Sequence, residues 1–555
     1  MSGVLRETLA GHRKLIGLST LFVAAWQAGE VAVPFLIGVI IDRAVAGGVG
    51  DLALWLGVLA AVYLGLSLSY RYGERTAERA SEQSAHDLRM RLTRRVLHDR
   101  GGAETDRLPG ALVSIATSDA ARVGAVAVAT AAGIAALVGL VFAAILLLSL
   151  SRPLGLLVLL GTPPLLWLTR QLGGPLEERS EQEQEHGAHA SGVAADLVDG
   201  LRVVKGLRAE DAAVARYRER SRTALWATVR AARAESAYQG VVLALSGLFL
   251  AVVAVTGGLL ALRGHLTVGQ LVSSVGLAQV LVGPMSTFGW VGSDLAQGRA
   301  SARRIAAVLQ APEAVTGGDS APAQPIHGHL AVRDVAAPPL RGLSLEIASG
   351  ELVGLVTADP AEAVALVRLL GRASDPVSGS LSLDGVPLAS LAPAELRTAI
   401  LTVEHHTDLF GGSLRDSIAL SGRAGTIDAA VTAAGADEVA QTLPAGLDTV
   451  LDDGARALSG GQRQRVALAR ALAADPPVLV VHDPTTAVDA VTEARIAGHL
   501  RQIRAGRTTI LITTSPALLA VTDRVIVLHE GAVRTDGTHP DLIAADPPYR
   551  ETVLS

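Results

Sequence analysis

The chain has 555 residues, half of them hydrophobic and only 18% charged, where soluble domains carry about a quarter. A mean hydropathy of +0.39 excludes a disordered or collagen-like chain and points to a bilayer-embedded portion. The net charge of −5 offers no basic face for nucleic acid, and the absence of cysteine excludes disulfides, iron–sulfur clusters and thiol nucleophiles.

A membrane-spanning helix needs about 20 mostly apolar residues. Six segments qualify or come close: Leu15–Ile41, Leu52–Tyr70, Val123–Leu150, Pro153–Leu168, Val241–Leu262 and Leu271–Trp290. Short links join the first and second, the third and fourth, and the fifth and sixth. Long polar stretches, Arg71–Arg122 and Thr169–Gly240, separate the pairs. These stretches are dense in Arg, Glu, Gln and Ala, which are strong helix formers, as in Glu178–His189. Helices two to five are therefore expected to run past the bilayer as long hairpins. Arginines in both arms (Arg89, Arg91, Arg94 and Arg95; Arg202, Arg208, Arg216, Arg218 and Arg220) place them in the cytoplasm, and Arg13 and Lys14 place the N-terminus there. No short apolar stretch with a small-residue cleavage site opens the chain, so no cleaved signal peptide is expected. Within the first span, Gln27 and Glu30 are candidate cavity residues, because an intramembrane carboxylate is costly and usually faces a partner or a wetted interior.

Past Val308 the pattern changes. Gln310–His329 is rich in Pro, Gly, Ser and Ala and reads as a linker. From Leu330 onward, short apolar runs (Leu352–Val356, Val478–Val481, Thr509–Ile512, Val525–Leu528) alternate with helical stretches, as in a mainly parallel sheet with crossover helices. The expected organisation is a membrane domain over 1–308, a linker over 309–329 and an α/β domain over 330–555.

One motif is specific. Leu458-Ser459-Gly460-Gly461-Gln462 leads into Arg463-Gln464-Arg465-Val466-Ala467-Leu468-Ala469-Arg470-Ala471-Leu472. Its glycines let backbone N–H groups approach an anion, and the helix behind them directs its positive end the same way. Further on, the apolar strand Pro477–Val481 ends in His482-Asp483-Pro484-Thr485-Thr486-Ala487-Val488-Asp489.

These two runs resemble the ATP-binding cassette family. The whole chain resembles a half-transporter of the exporter type, with six spans, long cytoplasmic arms and one cassette. Asp199-Gly200-Leu201-Arg202-Val203-Val204-Lys205 and the stretch from Gly537-Thr538-His539 to Tyr549 echo it too. The resemblance implies an all-α six-helix exporter domain followed by an α/β P-loop NTPase-like cassette, in a cytoplasmic membrane with both termini and the cassette inside. It also implies coupling segments near Gly110–Asp119 and Val198–Val204, which carry cassette motion to the spans.

The chain departs from that family where the phosphate loop should stand. The pattern G-x-x-x-x-G-K-[ST] supplies backbone donors, a lysine and a hydroxyl to phosphates and Mg²⁺. Here the loop after Glu351–Val356 runs Thr357-Ala358-Asp359-Pro360-Ala361-Glu362-Ala363-Val364-Ala365, with Ala363 in the lysine position and Val364 in the hydroxyl position. The only lysines are Lys14 and Lys205, so no other register rescues the motif. Asp359 and Glu362 are expected to face the phosphates. Further stations fail likewise. His482 stands for the magnesium-linked aspartate and is a poor hard-cation ligand. Asp483 stands for the general-base glutamate, His405 for the glutamine and Thr514 for the switch histidine. No base-stacking aromatic occurs in Val335-Ala336-Ala337-Pro338. Glu404, His405, His406 and His482 fit no standard zinc spacing, so no metal site is expected.

In the family, each ATP lies between one cassette's phosphate loop and the other's signature. The resemblance therefore implies a degenerate subunit whose Ser459, Gly460 and Gly461 serve, in trans, an ATP and Mg²⁺ held by a second half-transporter with intact motifs. Gln462 supports the signature loop and Asp489 links the two sites. The expected cargo is a small amphipathic molecule, peptide or lipid. The competing reading is a pseudo-ATPase, a regulatory or scaffold subunit with no transport cycle.

Overall fold

A computed structural model describes residues 3–554, apart from 47–48, 106, 406–407, 421, 423–425, 452–454 and 456. Some helical side chains, chiefly between 166 and 184, also lie outside that description. The chain forms two compact units: Met1–Thr93 with Pro109–Leu309, and Arg94–Leu108 with Gln310–Ser555.

The first unit is all helix: α1 (Gly3–Gly11), α2 (Arg13–Ala46), α3 (Val49–Val96, whose end passes into the second unit), α4 (Pro109–Ser114), α5 (Ala120–Leu150), α6 (Arg152–Asp199), α7 (Leu201–Gly206), α8 (Glu210–Leu262), α9 (Val268–Val280) and α10 (Val282–Leu309). The polar arms are mostly helical, as expected, with the first interrupted between Val96 and Pro109. The helices α3, α6 and α8 run unbroken for 48, 48 and 53 residues. Among the described residues, five helical stretches are long and apolar enough to cross a membrane. The predicted segment Pro153–Leu168 lies within α6 and is not one of them. A π-helical turn, Ile115–Asp119, joins α4 to α5. The apolar packing of α2, α5, α6, α8 and α9 centres on Val31, Leu147, Leu154, Val253 and Leu277, all fully buried. At the far end of α2, Asp42 accepts from Gly269 N–H and Thr267 Oγ1, fastening α2 to the start of α9.

The second unit is built on strands. They are β1 (Leu330–Ala337), β2 (Leu340–Ile347), β3 (Leu352–Val356), β4 (Ser378–Leu383), β5 (Val386–Pro387), β6 (Ile400–Val403), β7 (Gly412–Ser413), β8 (Val450–Leu451), β9 (Val478–His482), β10 (Thr508–Ile512), β11 (Arg524–His529) and β12 (Ala532–Gly537). Its helices are α11 (Pro360–Leu370), α12 (Pro393–Ala399), α13 (Leu414–Ala419), α14 (Ile427–Ala433), α15 (Ala436–Gln441), α16 (Gly460–Ala474), α17 (Ala490–Ile503), α18 (Pro516–Leu519), α19 (His539–Ala545) and α20 (Pro547–Leu554). One sheet runs β12-β11-β3-β10-β9-β6, parallel except for β12, and the other runs β2-β1-β4-β5, antiparallel. Both β3 and β10 are buried along their full length, which is why they read as continuous apolar runs. A second apolar cluster joins α13 to α16 to the far face of β9 and β10.

The stretch Gln310–His329 is held firmly for a linker. The Arg95 guanidinium donates to the Ala311 and Pro312 carbonyls, and the Arg100 carbonyl accepts from Ala314 and Val315 N–H. Arg372, 2% exposed, donates to the carbonyls of Thr316, Gly317, Ala389 and Leu391. The buried guanidinium is thereby satisfied by carbonyls rather than by a carboxylate alone.

Candidate functional site

In an open, mostly parallel sheet, ligands gather beyond the carboxyl ends of the strands. Here the ends of β3, β9 and β10 open on a cleft of about 640 Å³, lined among others by Thr357, Ala363, His482, Asp483, Thr514, His529 and Arg534. Most of the altered positions thus come together in one place. A neighbouring cavity of about 340 Å³ is lined by Glu404, His405, Gly460, Arg463, Gln464, His482 and Asp483.

The loop between β3 and α11 satisfies itself. A helix N-terminus leaves four backbone donors free, and a phosphate loop aims them at its ligand. In this chain Pro360 has no donor. The Ala361 N–H donates to Asp359 Oδ1 at 2.9 Å, and the Glu362 N–H donates to the Asp359 carbonyl at 3.1 Å. Asp359 therefore caps α11 with its own negative charge. Glu362 does not face the cleft as expected. It is 3% exposed, accepts from Gly531 N–H at 2.6 Å in the β11–β12 turn, and takes the Thr357 hydroxyl. Ala363 is buried, and Val364, 46% exposed, offers no hydroxyl. These residues do not fit a nucleotide triphosphate or its Mg²⁺.

At the end of β9, Asp483 Oδ2 lies 3.6 Å from His482 Nε2 and 3.9 Å from His405 Nδ1, and the two imidazoles are 5.7 Å apart. Burial pushes the His482 pKa below the ordinary imidazole value, partly offset by Asp483. His406 falls outside the described residues. Among the described residues, no group of three or more His, Asp or Glu could hold a metal ion.

The signature turn, in contrast, is fully formed. Ser459 caps α16. Its Oγ accepts from Gln462 N–H at 3.3 Å, while Gln462 Oε1 accepts from Ser459 N–H at 2.8 Å, a reciprocal capping box. A Cβ at Gly461 would stand 2.2 Å from the Ala487 carbonyl, so only glycine lets α16 lie against the turn after β9. Gln464 fastens that contact, its Oε1 accepting from Ala487 N–H at 2.9 Å and its Nε2 donating to Thr486 Oγ1 at 2.7 Å. Asp489 caps α17 through Val491 and Thr492 N–H, and the Thr492 backbone bond holds its pKa below the ordinary carboxylate value. The role of Gln464 leaves little mark in residue identity, because one of its partners is a backbone N–H and the other, the Thr486 hydroxyl, lies 22 positions away and is brought near only by the fold.

In the helical unit, Gln27 is 6% exposed and donates to Glu30 at 3.1 Å, in space that Gly139 leaves open. The predicted coupling stretch Gly110–Asp119 contains α4 and the π turn. The buried Asp119 at its end accepts from Ser301 and from both Nε and Nη2 of Arg304 on α10. The stretch Val198–Val204 lies where Gly200 separates α6 from α7, and Val198, Leu201 and Val203 are all exposed there.

Residues 16–285 match the model of the ABC transporter transmembrane region, and residues 340–486 match that of the ABC transporter cassette. An ATP-dependent lipid A-core flippase of Chromobacterium violaceum is 29% identical over 553 residues, covering 96% of this chain and 94% of the relative. A flippase of the same description from Thiobacillus denitrificans is 31% identical over 409 residues, covering 72% and 70%. A multidrug efflux ATP-binding/permease protein of Mycobacterium tuberculosis is 31% identical over 558 residues, and there the chain spans 46% of the relative's length. Among solved structures, a bacterial Atm1-family ABC exporter with ATP bound superimposes with a TM-score of 0.75 at 25% identity, over 100% of this chain and 99% of that one.

Proposed function

The chain belongs to the ABC transporter family, as a multi-pass half-transporter with the exporter fold and its cassette on the same polypeptide, and from that premise we propose that it is the degenerate subunit of a heterodimeric exporter. The observation that carries this is the contrast between its two motifs. The phosphate loop has lost its lysine and glycines and uses its own carboxylate to cap α11. The signature keeps every residue, with a capping box and a glycine-dependent seat. A signature has use only opposite another chain's ATP, so its retention argues for a partner that holds one.

Two copies of this chain would hold no competent site. One copy beside a half-transporter with an intact loop would hold one. There Ser459 and the N–H groups of Gly460 and Gly461 contact the γ-phosphate of an ATP, with Mg²⁺, bound by the partner. They supply donors fixed in place before charge develops. Gln462 holds the turn, and Asp489 stands at the junction between the two sites. Six spans, over domain limits 1–308 and 330–555, sit in the cytoplasmic membrane with termini and cassette inside. Closure of the cassettes on ATP passes to the spans through Gly110–Asp119 and Val198–Val204. A near-complete switch needs roughly 5.5 kcal/mol of differential binding, which one clamped ATP can supply. The cargo is an amphipathic or lipidic molecule, in keeping with the lipid A-core and multidrug descriptions of its relatives.

The loss of nearly every nucleotide contact favours a second reading, a pseudo-ATPase scaffold without transport. Affinity purification of the tagged chain from its native membrane, followed by mass spectrometry, separates the two. The heterodimer reading expects an equimolar half-transporter with an intact lysine-bearing loop. Recovery only as a homodimer, or with an unrelated membrane protein, overturns it. In the active complex, Asp483→Asn is expected to change the ATPase rate by less than about twofold, because a base with no ATP beside it has nothing to activate. A large loss would show that the altered site still turns over.

A further inference from the structure

We propose that Glu30, with the aromatic stripe beside it, is the site that takes a cationic head group on an amphipathic cargo. The inference rests on reading the chain as a transporter subunit. Across the six apolar segments, Glu30 is the only Asp or Glu, and no Lys, Arg or His occurs in any of them. Among the described residues it makes no ion pair. Its one recorded partner, the Gln27 amide at 3.1 Å, is neutral and cannot balance a carboxylate. A charge in hydrocarbon is retained only where something compensates it, and this chain's own spans contain nothing that does.

The surroundings suit an organic cation better than a metal ion. Trp26 stands one turn before Glu30 on α2, and Phe22 one turn before that, so the three share one stripe of the helix. Trp26 meets Tyr70 of α3 with ring centroids 5.3 Å apart, and Phe22 meets Tyr72 at 5.8 Å. Both tyrosines are 49% exposed in the single chain, so its own helices do not cover their rings. The chain is only 3% aromatic, with six Phe, five Trp and six Tyr in all, yet four of them gather here. Ring faces attract ammonium groups, a quaternary ammonium included, and the adjacent carboxylate adds a full opposite charge. The same carboxylate repels an anionic head group. The expected ligand is an organic ammonium on a hydrophobic body.

The test is equilibrium binding to the complex in phosphatidylglycerol nanodiscs, without nucleotide, so that it stands whether or not the complex transports. Three dyes share a pyrene body and carry a trimethylammonium, a methyl or a sulfonate group. The wild type is expected to prefer the ammonium dye. Glu30→Gln, which preserves the contact with Gln27, is expected to weaken that dye by about tenfold and leave the methyl dye unchanged, while Glu30→Asp retains the preference. If Glu30→Gln loses all three dyes, Glu30→Asp decides: retained preference supports the site and a matching loss overturns it. Phosphatidylethanolamine added to the disc identifies the source. Competition with the ammonium dye in the wild type alone assigns the site to a lipid ammonium, and lack of competition assigns it to a soluble cation. Equal ammonium affinity in wild type and Glu30→Gln, or a wild-type preference for the sulfonate dye, overturns the proposal.

Discussion

Ser459→Arg is expected to abolish ATP hydrolysis by the complex while leaving ATP binding at the partner's phosphate loop intact. Ser459 sits at the head of a 15-residue helix, in extended backbone, with its hydroxyl committed to the Gln462 N–H and its own N–H to Gln462 Oε1. Two things go when arginine replaces it. The cap is worth about 1 kcal/mol, too little to unfold a cassette whose core is otherwise intact. The larger loss is at the γ-phosphate, where the long side chain fills the approach and displaces the fixed donors. Removing one such donor in an enzyme costs roughly 10²- to 10³-fold in rate. Ser459→Ala separates the terms, because it removes the hydroxyl without blocking the site, and should fall between the wild type and Ser459→Arg. Steady-state ATPase rates beside a nucleotide-binding isotherm make the measurement. Normal hydrolysis by Ser459→Arg would show that this signature faces no working site.

The general architecture is legible because both halves repeat simple rules. Apolar runs of bilayer length continuous with Arg- and Glu-rich helix formers, which follow the run in α3 and precede it in α8, give those two helices, and short β-branched runs give β3, β9 and β10. That Thr357–Ala365 lacks a lysine and the glycines of the phosphate-loop pattern is equally legible, since Ala363 and the absence of lysine after Lys205 are matters of residue identity. Orientation is what residue identity does not carry. Glu362 reads as a charge facing the phosphates, yet it turns inward to Gly531, a residue 169 positions away that only the folded sheet brings near. Asp489 reads as a link between sites, and in the single chain its carboxylate first serves as a helix cap. The Gln310–His329 stretch has a loop's composition, and what holds it is mostly carbonyl oxygens meeting Arg95 and Arg372. Every residue has a carbonyl, so such contacts leave no trace in sequence. Asp119 is missed for a related reason: its partners Ser301 and Arg304 lie on α10, far along the chain.

Nucleotide occupancy should be equally one-sided. With a photoreactive ATP analogue, the label is expected on the partner's phosphate loop, with none on Thr357–Ala365, and equilibrium binding should count one tightly held ATP for each pair of cassettes. The physical basis is the count of donors lost. Two of the first backbone N–H groups of α11 are already used by Asp359, a third is absent at Pro360, and the lysine is gone. Charge-assisted hydrogen bonds contribute about 1.5–3 kcal/mol each, so losing three or more weakens binding by at least about a thousandfold. Asp359 adds repulsion, holding a carboxylate where a phosphate would need the helix's positive end. The same count predicts that Ala363→Lys alone restores no binding. Position 363 is only 2% exposed, and a lysine placed there still meets a proline-interrupted, carboxylate-capped turn. Recovery requires a glycine-rich loop in place of Asp359, Pro360 and Glu362 together with the lysine. If Ala363→Lys by itself brings nucleotide to this chain, the loop was one side chain short of function and its self-capping is not what closes the site.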